Sequence, residues 1–177
     1  PKGQSNMLLG IDPTIPWVND ECERFYDEDI VVECMSYSNP PKWNQKDYFM
    51  IWDQGILDNF TSWGVDGVDI PAEIQKAIQT DNGVLYASDS WEELAGKFNL
   101  DPAALKATVD EYNAMCRAGS DDLFGKDPQY LKELATPPFY MARPYWVVFC
   151  VVGGISTNRH SQVITENLVP IEGLYAI

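Results

Sequence analysis

Two adjacent helices with recognisable ends constrain the fold of this chain more than any other feature of its sequence. Ser90 begins a capping box, in which its hydroxyl accepts an amide proton three residues on and Glu93 reaches back. Asp101 and Pro102 open the second helix, since aspartate caps a helix and proline suits its first position. Gly119 ends that helix. Its apolar face has helical spacing and predicts core packing: Leu105, Val109, Tyr112, Met115 and Cys116.

Apolar runs on either side of the helix pair predict strands. Tyr48–Asp53 is a continuous run, which suits a strand with both faces covered. Residues 145–152 give a stronger strand signal, and a hairpin pattern follows with its turn at Asn158-Arg159. Further signals are strands at 15–19 and 84–87 and a helix at 71–80. The pattern predicts an α+β fold, a short mixed sheet flanked by helices and followed by a C-terminal antiparallel β-hairpin.

Four other stretches are less regular. Residues 27–33 predict a short acidic helix, and residues 130–134 predict one further helical turn. Residues 36–45 are polar and contain Pro40-Pro41, which predicts a loop. Residues 55–68 carry three glycines, and we expect irregular structure there.

The charge balance excludes two classes of partner. Acidic residues outnumber Lys and Arg by 27 to 12, giving a net charge of −15. Such a surface repels phosphate backbones and anionic lipid, so we expect no nucleic acid and no membrane among the partners. No apolar run approaches the roughly 20 residues that a bilayer span needs.

The cysteines and the single histidine predict no metal site. No two cysteines form a C-x-x-C pair, and only His160 offers an imidazole ligand. A chain of 177 residues has room for a core without disulfides, so free thiols are expected. The cysteines are Cys22, Cys34, Cys116 and Cys150.

Three blocks of sequence resemble one enzyme family. Residues 18–29 read VNDECERFYDED, and residues 91–119 read WEELAGKFNLDPAALKATVDEYNAMCRAG. Residues 138–176 contain PFY, then Gly153-Gly154, then PIEGLYA. In this order the blocks resemble the FAD-dependent oxidoreductases related to the flavoprotein subunits of fumarate reductase and succinate dehydrogenase. Cys22 stands where that family usually has glycine.

The resemblance implies that this chain is an internal piece of a larger flavoenzyme. Residues 1–13 would be a leader or linker, residues 14–144 the capping (substrate) domain, and residues 145–177 returning strands that join the FAD-binding domain. FAD would belong to the full-length parent, and none is expected in this piece, which lacks the dinucleotide-binding βαβ pattern. The implied partners are the parent's FAD-binding domain and a small-molecule substrate. Residues 145–177 are also expected either to pair with a second copy as a homodimer or to fold back on the cap.

The family's chemistry is hydride transfer between the flavin and an activated C–C bond. Its fumarate-reducing members have an acid-donating Arg about seven residues after the Phe that corresponds to Phe25, and the matching region here, residues 27–33, has no Arg or Lys. Those members also have a His-rich stretch just before the Gly pair, where this chain has FCVV at residues 149–152. Both differences from the fumarate-reducing members predict that this cap does not bind a dicarboxylate. A neutral, cationic or flat apolar substrate is expected instead, and no catalytic residue is assigned.

The resemblance also implies candidate site residues. Tyr145, Phe149 and Cys150 would line the substrate pocket, although Cys150 also suits a buried small apolar residue. Gly153, Gly154 and Ala176 would approach the flavin in the parent, although the Gly pair also suits a plain strand end.

Surface roles are expected for two other groups. His160 is predicted to be solvated in its hairpin, and so is an acidic face formed by Asp27, Glu28, Asp29 and Glu33. The alternative function is a non-catalytic, acidic and aromatic-rich module that binds a sugar or a protein, because the chain has six Trp and nine Tyr.

Overall fold

The computed structural model describes residues 12–59, 69–80, 83–144 and 154–176. The chain divides into two compact units, residues 1–144 and residues 145–177. The larger unit contains, in chain order, β1 (Trp17–Asn19), α1 (Ile30–Glu33), a 3₁₀ turn (Met35–Ser38), α2 (Asn39–Trp43), β2 (Tyr48–Asp53), α3 (Gln54–Asn59), α4 (Ile70–Gln79), β3 (Leu85–Ser88), α5 (Trp91–Lys97), α6 (Pro102–Ala118), a second 3₁₀ turn (Pro128–Tyr130) and β4 (Phe139–Ala142). The smaller unit contains β5 (Gln162–Ile164) and β6 (Pro170–Tyr175).

The sheet of the larger unit runs in the order β1-β2-β4-β3, and its strands pair antiparallel. All of β2 is buried, which confirms the continuous apolar run as a covered strand. Trp52 lies opposite Tyr140 of β4, and their rings stack with centroids 5.5 Å apart. The sequence did not predict β4, although it pairs with two other strands. The α+β class, the flanking helices and the C-terminal hairpin are confirmed, but the expected mixed sheet is wrong, because every pairing in this sheet is antiparallel.

The helix pair is confirmed with its caps. Ser90 Oγ accepts from the Glu93 amide at 3.2 Å, and Asp101 Oδ1 accepts from the Ala103 amide at 2.9 Å. Gly119 ends α6 with a φ of 71°, in the left-handed region that glycine adopts at low cost. The predicted return contact of the capping box, from the Glu93 side chain back to Ser90, is wrong. The Glu93 carboxylate instead accepts a hydrogen bond from the Ser88 hydroxyl. α5 packs on β3, β4 and α6, so the first helix of the pair lies against the sheet.

Two stretches expected to be irregular contain helix. Residues 36–45 include the rest of the first 3₁₀ turn and α2, whose first turn accommodates Pro40 because those amides need no intrahelical acceptor. The first part of residues 55–68 belongs to α3, where Asp53 Oδ1 accepts from the Ile56 amide at 2.8 Å. Residues 60–68 lie outside the described residues. The acidic helix predicted at 27–33 is confined to α1.

The smaller unit is a hairpin of β5 and β6. The Asn158 side chain fixes its turn, since Oδ1 accepts from the His160 amide at 2.9 Å and the Gln162 amide at 3.1 Å. Every residue of β6 is exposed, and the strand signal at 145–152 lies outside the described residues. No helix within the described ranges is both long and apolar enough to cross a bilayer.

Candidate functional site

A buried cluster of four charges anchors the chain after β1. Arg24 donates from Nε and Nη2 to the two oxygens of Glu28, at 3.0 and 2.7 Å, and from Nη2 to Asp121 Oδ2 at 2.9 Å. Lys126 Nζ lies 3.2 Å from Glu28 Oε2. Each of these side chains is at most 2% exposed. The cluster joins the segment around Arg24 to the loop after α6, and its formal charges cancel.

Both carboxylates of the cluster stay ionised. Burial alone would raise the pKa of Glu28, but the charges of Lys126 and Arg24 outweigh it and hold that pKa below its ordinary value. Burial also opposes ionisation of Asp121, and its hydrogen bond from Arg24 lowers the pKa in the same way. Glu28 is therefore not part of a solvated acidic face, and that expectation is wrong for this residue. Its partners Asp121 and Lys126 are remote in sequence, so the local acidic run gave no sign of them.

The backbone of the turn before the cluster explains why the family usually has glycine at the position of Cys22. Cys22 has a φ of 66°, and its amide donates to the Asn19 carbonyl at 3.0 Å. Glycine adopts this backbone at low cost, whereas other residues are strained there by about 1–2 kcal/mol. The buried Cys22 side chain offsets part of that cost by packing, with Sγ 3.7 Å from the Asp101 carbonyl oxygen.

A partly exposed stretch follows the cluster, and we name residues 30–43 the 30–43 segment. It presents apolar side chains to solvent, since Val32 is 46% exposed, Tyr37 59% and Trp43 68%. Its one acidic residue, Glu33, is also exposed. Its one cation, Lys42, is buried. The surface of this segment is therefore apolar and weakly acidic.

Lys42 lies against aromatic rings beneath this surface. Its Nζ is 3.8 Å from the Trp17 ring centroid and 5.4 Å from that of Tyr26, and it donates to Ser38 Oγ at 3.3 Å. Burying an ammonium costs several kcal/mol, and a desolvated cation–π contact returns only about 2 kcal/mol. Burial accordingly lowers the pKa of Lys42 to about 8, although the charge of Glu28 acts in the opposite direction.

A separate cavity of about 750 Å³ lies at the end of β2. Its lining includes Asp12, Asp53, Cys116, Lys132, Glu133 and Thr136. Asp53 is committed to the backbone, because Oδ2 accepts from the Ala135 and Thr136 amides at 2.9 and 2.8 Å.

Only part of the substrate and flavin site implied by the family resemblance falls within the described residues. Tyr145, Phe149, Cys150 and Gly153 lie outside the described residues. Gly154 is exposed with a φ of 144°, and a Cβ there would meet nothing within 4 Å. Ala176 is half-buried and donates its amide to the Ser161 carbonyl at 2.9 Å. His160 is exposed, as expected.

Comparison with known proteins identifies the family. The model of a family described as FAD binding domain matches residues 10–177. The chain belongs to this FAD-binding family. A vinyl phenol reductase from Lactiplantibacillus plantarum is 32% identical over 98% of this chain and 37% of its own length. This flavoprotein family comprises FAD-dependent oxidoreductases that act on C=C bonds, and fumarate reductase-like proteins are among its members.

Solved structures agree with the fold of the flavoprotein chain. The 3-ketosteroid Δ1-dehydrogenase from Sterolibacterium denitrificans, in complex with 1,4-androstadiene-3,17-dione, matches with a TM-score of 0.66 and 25% identity, over 95% of this chain and 33% of that one. A fumarate reductase flavoprotein subunit from Lactobacillus plantarum, solved in solution, matches with a TM-score of 0.53 and 23% identity. That match covers 77% of this chain and 85% of the other. The chain thus spans little more than a third of the reductase and a third of the dehydrogenase.

Proposed function

We propose that this chain is the substrate-capping part of an FAD-dependent oxidoreductase that transfers hydride between the flavin and an activated C–C bond. The observation that carries the proposal is the 30–43 segment, an exposed apolar surface that directly follows the buried charge cluster. When bound, the flavin supplies the hydride chemistry. The residues of this chain orient the substrate and exclude water.

The charge cluster gives the segment a fixed starting point. Arg24 and Glu28 hold the chain just before α1 against the loop after α6, through buried charge-assisted hydrogen bonds. A substrate surface needs such support, since small misplacements of contacting groups weaken catalysis strongly.

Residues 145–177 are proposed to connect the cap to the FAD-binding part of the parent. Under this proposal Gly153, Gly154 and Ala176 approach the cofactor, and Tyr145, Phe149 and Cys150 face the substrate. The exposed face of β6 supports the assignment, because it leaves a strand available for packing against the rest of the parent.

The proposed substrate is flat and largely apolar. A dicarboxylate needs cations around its carboxylates, and the 30–43 segment offers only Lys42, which is buried. The exposed Glu33 would repel an anion. The similarity to a vinyl phenol reductase favours a conjugated alkene on an aromatic ring. The match to the FAD-binding family also favours an enzyme over the sugar- or protein-binding module.

The test uses the full-length parent with a reduced dye as electron donor. We expect kcat/KM for 4-vinylphenol or a 3-ketosteroid to exceed that for fumarate by about 10²–10³-fold, the typical effect of one missing electrostatic group. Trp43→Ala should raise KM for the apolar substrate, whereas Leu123→Ala, which removes an exposed side chain outside the segment, should not. Rapid fumarate reduction by the unmodified parent would overturn the proposal.

A further inference from the structure

Lys42 is unusual among the buried cations of the described residues. Arg24 and Lys126 each bind a carboxylate, whereas Lys42 has none within 4.0 Å. Its single hydrogen bond, to Ser38, stays within the 30–43 segment. The contacts of Nζ outside the segment are the faces of Trp17 and Tyr26.

Lys42 is also the only buried residue of α2, and α1 has no buried residue. Ile30 of α1 packs against the core but is only partly buried, so the one fully buried anchor that these two helices provide is a lysine in place of an apolar side chain. The ring of Tyr26 lies 5.4 Å from Lys42 Nζ, and its hydroxyl is buried and has no hydrogen-bond partner in the described part of the chain. Both groups would gain hydrogen bonds from water if the segment opened.

We propose that Lys42 is a weak anchor that lets the 30–43 segment open at neutral pH and holds it closed once the amine has lost its proton. Its use in substrate entry rests on the function proposed above. The conformational equilibrium itself requires neither flavin nor substrate.

The direction of the pH dependence follows from the pKa of Lys42 in the closed and open states. In the closed state burial lowers the pKa of Lys42 to about 8, whereas an opened, hydrated lysine returns to its ordinary value of 10.5. The open state therefore binds the proton more tightly, and opening is favoured below both values. The opening constant should fall about tenfold per pH unit as pH rises from 8 towards 10.5.

Tyr48, Tyr26 and Glu28 do not titrate in that window. Burial raises the pKa of Tyr48 to about 12 and that of Tyr26 well above its ordinary value. Burial opposes ionisation of Glu28, yet Lys126 and Arg24 keep its pKa low and the group charged. A Cys34→Ser background removes the thiol of the segment from the measurement.

The test is amide hydrogen exchange of residues 30–43 in this chain between pH 6.5 and 9.5, corrected for intrinsic rates. Protection should be constant up to about pH 8 and then rise about tenfold per unit. Lys42→Met, which fills the same space without a charge, should raise protection at pH 7 and remove the pH dependence. Lys46→Met is the matched control, because that lysine is 89% exposed and should behave like the unmodified chain.

Two results would overturn the proposal. One is protection in the unmodified chain that does not change with pH, and the other is lower protection in Lys42→Met, which would mean that the ammonium stabilises the closed state. If Lys42→Met does not fold, an NMR titration of the Lys42 side chain in the unmodified protein decides, because a pKa at or above 10.5 contradicts the mechanism. None of these results depends on which substrate the parent accepts.

Discussion

Glu28→Gln tests whether the buried charge cluster supports the fold, and it keeps the shape of the side chain. Glu28 accepts four hydrogen bonds, from Arg24 Nε and Nη2, from Lys126 Nζ, and from the Trp17 amide at 3.2 Å. The glutamine amide is neutral, so one carboxylate, that of Asp121, would remain in the cluster with Arg24 and Lys126. The amide would also place an N–H group against donors that now face a carboxylate oxygen. Breaking a buried pair in this way costs about 3–5 kcal/mol of unfolding free energy.

Urea unfolding followed by circular dichroism measures this loss, and Glu133→Gln is the matched control. Glu133 pairs with Arg117 at 2.8 Å, but those side chains are 39% and 57% exposed, so its removal should cost at most about 1 kcal/mol. The pKa of Glu28 is lowered in the folded state, so its contribution is full above the unfolded value and disappears as pH falls through the folded value. The difference between the unmodified chain and Glu28→Gln should therefore shrink in acid. Equal losses for Glu28→Gln and Glu133→Gln at pH 7 would refute the reasoning.

Four further outcomes are expected. Tyr26→Phe removes a buried hydroxyl without a partner in the described residues, so urea unfolding should show unchanged stability or a gain of about 1 kcal/mol, and a comparable loss would contradict this. Asp101→Ala should lower stability by about 1 kcal/mol in the same assay through loss of the α6 cap, whereas Asp89→Ala, at an exposed position, should not. Titration of the purified chain with FAD should show no saturable binding, and a stoichiometric flavin absorbance band would disprove that expectation. Val32→Arg in the full-length parent should raise kcat/KM for fumarate, since it places a cation on an exposed part of the segment, and an unchanged value would argue against a substrate-facing Val32.

Local chemistry explains which parts of the fold could be predicted. The Ser90 and Asp101 caps and the Gly119 stop depend on groups a few residues away, and all three are confirmed. The covered strand Tyr48–Asp53 followed from its composition alone. The helix that begins at Asn39 was not predicted, although proline suits a first turn, because Pro40-Pro41 also suits a loop.

The candidate site was harder to predict because its contacts are remote in sequence. Arg24 and Glu28 are four residues apart, but they lie outside any helix, so helical spacing could not predict their pair. The sequence around Glu28 gave no basis for predicting contacts with Asp121 or Lys126. The burial of Lys42 depends on Trp17 and Tyr26, which belong to a different part of the chain. A lysine in a polar stretch is normally solvated, so the sequence favoured the opposite outcome.

The separation of the cluster's partners also bears on how the chain folds. Arg24 and Asp121 are 97 residues apart, and Glu28 and Lys126 are 98 apart. Closing so long a loop costs entropy before any contact stabilises it, so these bonds should form after the helix pair and the local turns. Substitutions at Arg24 or Glu28 should then accelerate unfolding and leave the folding rate nearly unchanged. The surface that we assign to substrate contact would thus be among the later parts of the larger unit to become ordered, together with the β2–β4 pairing.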